Sequence, residues 1–324
     1  MKQLKYTLLL FSCSLSLWAQ TAPDVTLVVS KDSTSDFSSI QEAIMSVRAF
    51  TNHTTTIHIK EGVYFEKIQI PAFLNNLILE GEGTDKTIIV NDDYSGKIVE
   101  GKKLSTFNSY TLLIHGDQNQ LKNLTVKNTS CNQGQAVALH VIGDEFQATN
   151  VNLIGCQDTL YTGGPDSRQY FKECYIEGTT DFIFGSATVF FENCIIKSKK
   201  NSFVTAASTP EGASYGYVFD MCEFVAEEGI DKVYLGRPWR PFAQTVMINC
   251  QLGAHILPLG WDPWKGDKLF PNKELTTYYG EYKSQGPGAN PAQRVNWSHQ
   301  LTEKEFNRYT LSSVLQYSNW KIKR

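Results

Sequence analysis

An apolar triplet recurs in phase along this chain: one residue, a second three positions on, and a third two beyond that. It reads Leu74-Leu77-Leu79, Leu121-Leu124-Val126, Ala148-Val151-Leu153, Phe171-Cys174-Ile176, Phe191-Cys194-Ile196, Phe219-Cys222-Phe224 and Met247-Cys250-Leu252, with Thr54-Ile57-Ile59 fitting at the head. The first members lie 47, 27, 23, 20, 28 and 28 positions apart, the first interval being about two repeats. A period of this size marks a repeat architecture, in which each unit buries its apolar face only by stacking on the next. Each unit is rich in β-formers and is broken by Gly, Asn or Asp, as in Glu80-Gly81-Glu82-Gly83, Ile142-Gly143-Asp144 and Glu177-Gly178-Thr179-Thr180. No helix of ten residues fits between units, which excludes a doubly wound α/β sheet. A β-sandwich also has strands at short intervals but does not require one marker to recur in phase. The expectation is an all-β, parallel β-helix.

Open ends of such a coil expose unpaired edges and apolar interior, so they need covers. Residues 39–48 supply a short N-terminal capping helix: Ser39 can cap, Glu42 completes a capping box, and Ile40, Ala43, Ile44 and Val47 form one face. Thr302 and Glu305 open a second helix expected to run to about Leu315. Residues 258–300, with Trp261, Trp264 and the Gln285-Gly286-Pro287-Gly288 turn, read as long surface loops. No linker divides residues 21–324, which are expected to form one domain.

Residues 1–20 read as a secretory signal peptide, with Lys2 and Lys5 ahead of a short apolar stretch from Leu8 to Trp18 and a small residue, Ala19, for cleavage. That stretch is too short to span a bilayer, and no other segment has the length and apolarity to do so. Export to the periplasm or the exterior is expected; a lipoprotein through Cys13 is the weaker reading, because Phe11 and Ser12 make a poor acylation signal. Removing two lysines and no acids moves the formal charge from −3 to −3 − 2 = −5. A nucleic-acid partner would favour a basic chain and is not expected. Six cysteines remain, Cys131, Cys156, Cys174, Cys194, Cys222 and Cys250, and an even count in an exported chain invites disulfides. The last four hold one position of the repeat, where a small apolar side chain stacks in the core, so buried thiols are favoured over a disulfide framework.

The repeat gives meaning to two aspartates. Asp158 in Gln157-Asp158-Thr159-Leu160-Tyr161 and Asp181 in Asp181-Phe182-Ile183-Phe184-Gly185 are 23 residues apart, and each lies seven residues after its strand marker, Val151 or Cys174. On adjacent coils about 4.8 Å apart, two carboxyl groups do not both ionise easily. Their pKa values separate, giving one anionic nucleophile and one neutral proton donor. Spacing alone does not say which is which. Gln135 lies 22 residues before Gln157, about one coil, so two amides can aim N–H donors at one oxyanion. Glutamines that merely satisfy a polar turn would look the same. Arg237, in Leu235-Gly236-Arg237-Pro238-Trp239, can grip a carboxylate at two points and keep it ionised. Trp239 and Trp261 offer aromatic faces suited to sugar rings, or to packing.

The ordered series Gly62-Val63-Tyr64-Phe65-Glu66-Lys67, Gln135-Ala136-Val137-Ala138-Leu139, Gln157-Asp158-Thr159-Leu160-Tyr161, Asp181-Phe182-Ile183-Phe184-Gly185 and Leu235-Gly236-Arg237-Pro238-Trp239 resembles the pectin methylesterases (pectinesterases). Thr106-Phe107-Asn108-Ser109, Arg168-Gln169 and Gly286-Pro287-Gly288-Ala289 fit as well, and Val204 to Gly212 is most similar to bacterial members. The resemblance runs from about residue 24 to about residue 320. It implies a single-stranded right-handed parallel β-helix that removes methyl esters from homogalacturonan without metal or cofactor, and a monomer is expected. By motif, Asp181 would be the nucleophile, Asp158 the acid then base, Gln135 and Gln157 the oxyanion donors, and Arg237 the partner that orients Asp181. Trp239 would line the sugar cleft, with Thr106, Tyr161, Phe182 and Trp261 expected beside it. Departures are local: His140 stands where Arg or Lys is frequent, and Gly163-Gly164-Pro165-Asp166-Ser167 forms a different loop.

Other activities fit the residues less well. An inverting galacturonase needs a third aspartate and a Gly-His-Gly turn, whereas His115-Gly116 follows Ile114; a calcium-dependent lyase needs a richer acidic cluster than Asp92-Asp93. There is no His-Glu-x-x-His. A silent, polysaccharide-binding β-helix would not require Asp158, Asp181 and Arg237 together.

Overall fold

The computed structural model describes residues 23–32, 35–316, 320 and 322. The segment read as a signal peptide, with Cys13, lies outside the described residues. The chain winds as a parallel β-helix. Along one face Leu27, Ile57, Leu79, Leu121, Ala148, Phe171, Phe191, Phe219 and Met247 stand side by side in parallel register. Each coil bends onto a second face, and the two faces together make a 17-stranded sheet. A third face is a separate seven-stranded parallel sheet running from Ile68–Ile70 to Tyr234–Gly236.

The bend between the first two faces explains the spacing within the triplet. From strand Gln120–Asn128 onward one residue there is left-handed in each coil: Asn123, Asn150, Glu173, Asn193, Met221, Asn249 and Lys283, with φ between +50° and +55°. Asparagine tolerates this conformation better than most side chains, which accounts for its recurrence. Inside, Phe171, Phe191 and Phe219 pile up at centroid distances of 5.2 and 4.4 Å. Cys174, Cys194, Cys222 and Cys250 stack on successive coils as free, buried thiols. Each donates to a carbonyl of the preceding coil, of Ala148, Phe171, Phe191 and Phe219, at 3.4–3.6 Å.

Several expectations change. The first two triplets are out of phase, because Leu79, the last of its triplet, stands beside Leu121, the first of the next. Residues 82–86 are inserted between strands Leu77–Gly81 and Thr87–Asn91, whereas Gln120–Asn128 crosses the same bend as one strand. The long interval before Leu121 is one coil rather than two, lengthened by a loop bearing the antiparallel hairpin Ile98–Val99 and Lys102–Lys103. The series also starts earlier, at Val25–Val29. Among the six cysteines, Cys131 and Cys156 are joined by a disulfide. They sit in turns of adjacent coils, not at the repeat position, with Cα atoms 5.4 Å apart, within disulfide reach.

Helix α1 (Ile40–Ser46) buries Ile40, Ala43 and Ile44 in the core shared with Val29, Ile57 and Ile68, at the N-terminal end of the coil. Ser39 accepts from the Glu42 N–H as expected, but Glu66 rather than Glu42 completes the cap. Its carboxylate accepts from the N–H groups of Ile40 and Gln41 at 3.0 Å and from the Ser39 hydroxyl at 2.9 Å.

The expected C-terminal helix is two: α2 (Glu303–Phe306), with the Thr302–Glu305 capping box, and α3 (Leu311–Leu315), capped by Thr310. They cover a side rather than an end. Tyr170, Phe190, Val218 and Val246 form an apolar outward column on the first face, and Leu311, Val314 and Leu315 bury it. Residues 258–300 are not only loops. Tyr278–Tyr282 adds a further coil beside Gln244–Ile248. Its inward position holds Glu281, which breaks the apolar pattern and is neutralised by Arg294 through Nε–Oε1 and Nη2–Oε2 contacts of 2.7 and 3.1 Å.

Candidate active site

The third sheet brings the motifs together. Strands Leu160–Thr162 and Ile183–Gly185 pair with Leu160 opposite Ile183, so Asp158 and Asp181, each two residues earlier, lie on adjacent coils. Both take left-handed φ, +65° and +49°, at the bend into their strands. Both are more than nine-tenths buried. Arg237 follows strand Tyr234–Gly236, two coils beyond Asp181. Its Nε donates to Asp181 Oδ1 at 3.0 Å and its Nη2 to Oδ2 at 2.7 Å. The guanidinium lies between aromatic rings, 3.9 Å from the Phe203 centroid and 3.7 Å from that of Trp264.

The two carboxyls therefore differ. No donor among the described residues reaches the Asp158 carboxyl. Burial, with the Asp181 charge adding to it, pushes Asp158 up to about 8 against a weaker opposing pull from Arg237. Burial also raises Asp181, but there the two hydrogen bonds and charge of Arg237 work against it. The pair titrates jointly, and the arginine contact decides which member carries the negative charge.

Gln135 and Gln157 are half-buried and fixed by their backbones: the Gln135 carbonyl accepts from Ser95 N at 2.8 Å, that of Gln157 from Ala136 N at 3.1 Å. Neither side-chain amide bonds to a described residue. They are one residue out of strict register, because Leu139 pairs with Leu160, a coil of 21 residues where the glutamines are 22 apart. The Cys131–Cys156 disulfide joins the two turns that carry them.

Over the outer surface of the sheet lies an aromatic layer. Tyr161 points outward, 4.6 Å from His140, 4.8 Å from Phe184 and 5.2 Å from Phe107. Trp239 stands 5.8 Å from Phe184 and stacks at 6.5 Å on Phe107. Thr106 opens the short 3-10 turn that presents Phe107.

The sequence profile of the Pectinesterase family matches residues 26–318. The chain belongs to that family. It is 36% identical over 322 residues to a probable pectinesterase/pectinesterase inhibitor 64 of Arabidopsis thaliana, covering 92% of this chain and 52% of the relative. The chain thus spans about half the length of the curated relatives it matches. A pectin methylesterase from carrot superposes with a TM-score of 0.84 at 30% identity, over 91% of this chain and 94% of that one. Pectin methylesterase PemA from Erwinia chrysanthemi gives 0.82 at 32% identity, over 92% and 98%.

Two residues expected beside the sugar cleft of a pectinesterase are fully buried. Phe182 is fully buried: the bend at Asp181 turns both Phe182 and Ile183 into the core, and Phe184 takes the outward place. Trp261 is also fully buried, at 4.4 Å from Tyr279, because its bridge to Gly236 puts it on an inward position of the next coil. Phe107, Phe184, Phe203 and Trp264 were not expected at the site. Phe184 was legible from alternation in its motif. Trp264 was not, because a loop without periodicity delivers it. A cavity of about 710 Å³ beside Arg237 is lined by Phe203, Tyr234, Trp264 and Trp297, with Trp261 at its wall. His140, buried and held neutral by desolvation with its pKa down at about 4, hydrogen-bonds through Nδ1 to the Phe107 carbonyl.

Proposed function

We propose that this chain is a carboxylic ester hydrolase that removes methyl esters from polygalacturonate, giving pectate and methanol, with Asp181 as nucleophile. The observation that carries the reading is the two-point grip of Arg237 on Asp181 beside an Asp158 carboxyl that no donor among the described residues holds. Ionised Asp181 attacks the ester carbonyl carbon, and the oxygen that gains the charge is met by the free amides of Gln135 and Gln157. The tetrahedral adduct collapses, the C–O bond to the methoxy group breaks, and Asp158 gives its proton to the departing methanol. Asp158, now ionised, takes a proton from water as the oxygen attacks the acyl carbon. The bond to Asp181 breaks, leaving a galacturonate carboxyl and both aspartates restored.

In this reading Tyr161, Phe107 and Trp239 face the sugar rings, with Thr106 at the edge; their packing into one outer aromatic layer supports it. Residues 21–324 act as one exported unit after loss of residues 1–20, as a monomer, on methyl-esterified homogalacturonan. The test is methanol release from highly methylated polygalacturonate by the purified chain, with and without a metal chelator, beside Asp181→Ala. Release that persists with chelator and disappears in the variant is the expected result. A folded parent protein that releases no methanol ends this reading.

A further inference from the structure

We infer that Lys273 is a positioning residue for Arg237 and the second cation of the site, acting through Trp264 and the loop that carries both. The inference rests on the role proposed for Asp181. The loop from Asp262 to Thr277 leaves the coil after Trp261 and returns to it at Tyr278. It docks on the arginine strand through Asp262 N–H to the Gly236 carbonyl at 3.1 Å. It then turns through Trp264, left-handed at φ +56°, whose N–H donates to Asp262 Oδ1 at 2.7 Å. That turn lays the Trp264 ring against the Arg237 guanidinium at 3.7 Å.

Lys273 locks this arrangement. Its side chain is 1% exposed, and its ammonium meets Asp267 Oδ2 at 2.8 Å. The same ammonium lies 4.5 Å from the Trp264 centroid and donates to the Trp239 carbonyl at 3.5 Å. It therefore ties the Trp264 ring to the backbone of Trp239, just past the Arg237-Pro238 corner. A buried ion pair adds little stability over apolar residues of equal volume, so stability alone is a weak reason to bury a lysine here. Charge is a better one. The charged groups facing Asp181 are Arg237, Lys273, Asp158 and Asp262, so Lys273 opposes two carboxylates. Those facing Lys273 are Asp267, Arg240 and Arg237.

Removing a nearby positive charge raises a carboxyl pKa, so the sign of the effect is fixed. The full chain, labelled with carbon-13 at the aspartate carboxyls and with Asp181→Asn as the assignment control, is titrated by NMR as parent, Lys273→Met and Lys273→Arg. The lower apparent pKa of the Asp158/Asp181 pair is expected to rise by about one unit in Lys273→Met and to stay in place in Lys273→Arg. Methanol release should show kcat lowered by up to about tenfold on the acid side of that lower pKa, with KM changed less than about twofold, since one pKa unit is a factor of ten in the ionised fraction there. If Lys273→Met does not fold, Trp264→Leu, at a half-exposed ring, is read by the same titration and is expected to shift the pair in the same direction. An unmoved titration in a folded variant overturns the inference. A parent chain that releases no methanol overturns the esterase reading instead, and the titration still decides whether Lys273 supports Asp181.

Discussion

At the scale of single residues, Asp158 sets the pH behaviour. Its folded pKa of about 8 lies above an unfolded value of about 3.9. Between those values the folded chain keeps a proton that the unfolded chain has released, so stability falls as pH rises through that window, by at most about 1.4 kcal/mol per unit. Asp158→Asn removes the penalty: its melting temperature should match the parent near pH 4 and exceed it at pH 8, while methanol release is lost. For the parent, kcat should fall as pH rises past about 8, where the proton donor ionises; a profile flat to pH 10 would remove Asp158 from that role. Gln135→Ala or Gln157→Ala should each lower kcat by about 100- to 1000-fold with the fold intact. The aspartates, glutamines and arginine were legible because their chemistry needs those residue types at coil spacing. Phe182 was misplaced because period-2 alternation fails at a bend, where only the backbone decides which side chain turns inward, and Trp261 because a segment read as surface loop bridges Gly236 and takes an inward position.

Among elements, the stacked thiols and the disulfide separate cleanly. Cys174, Cys194, Cys222 and Cys250 should resist a thiol reagent in the native chain and react in denaturant, whereas Cys131 and Cys156 should react only after reduction. Opening the disulfide releases a loop closed across 25 positions, worth about 3.5 kcal/mol by loop-closure entropy. Cys131→Ser with Cys156→Ser should lower the denaturation midpoint accordingly; an unchanged midpoint would mean that the coils alone hold those turns. Four thiols were legible because they repeat and two were not, since no periodicity governs the turns. Helix α1 shows the same limit: its apolar face was readable locally, but the Glu66 that caps it comes from 24 residues beyond Glu42.

For the whole molecule, contacts run mainly between neighbouring coils, so stability is close to a sum of coil and interface contributions. Near the C-terminal end, where only the short strand His299–Gln300 stacks beyond it, the coil Tyr278–Tyr282 is held by the buried Glu281–Arg294 pair, with side chains 6% and 2% exposed. Arg294→Met leaves that carboxylate alone and should cost about 3–5 kcal/mol. Native-state hydrogen exchange should show Tyr278–Tyr282 opening ahead of the central coils, and methanol release should suffer with it, since the Lys273 loop is anchored there. Exchange that stays uniform along the coil would contradict this. The sequence made the coil legible wherever its inward positions are apolar; it failed at Glu281 because a charge paired from 13 residues away looks like a surface residue.

The left-handed bends at Asp158 and Asp181 also govern what this lineage can become. Few side chains stand there without strain, and asparagine and glycine are the easiest replacements. Under the proposed mechanism each replacement abolishes methanol release and spares the backbone. A chain silenced through either replacement therefore keeps its groove in shape, able to hold a polysaccharide that it no longer alters.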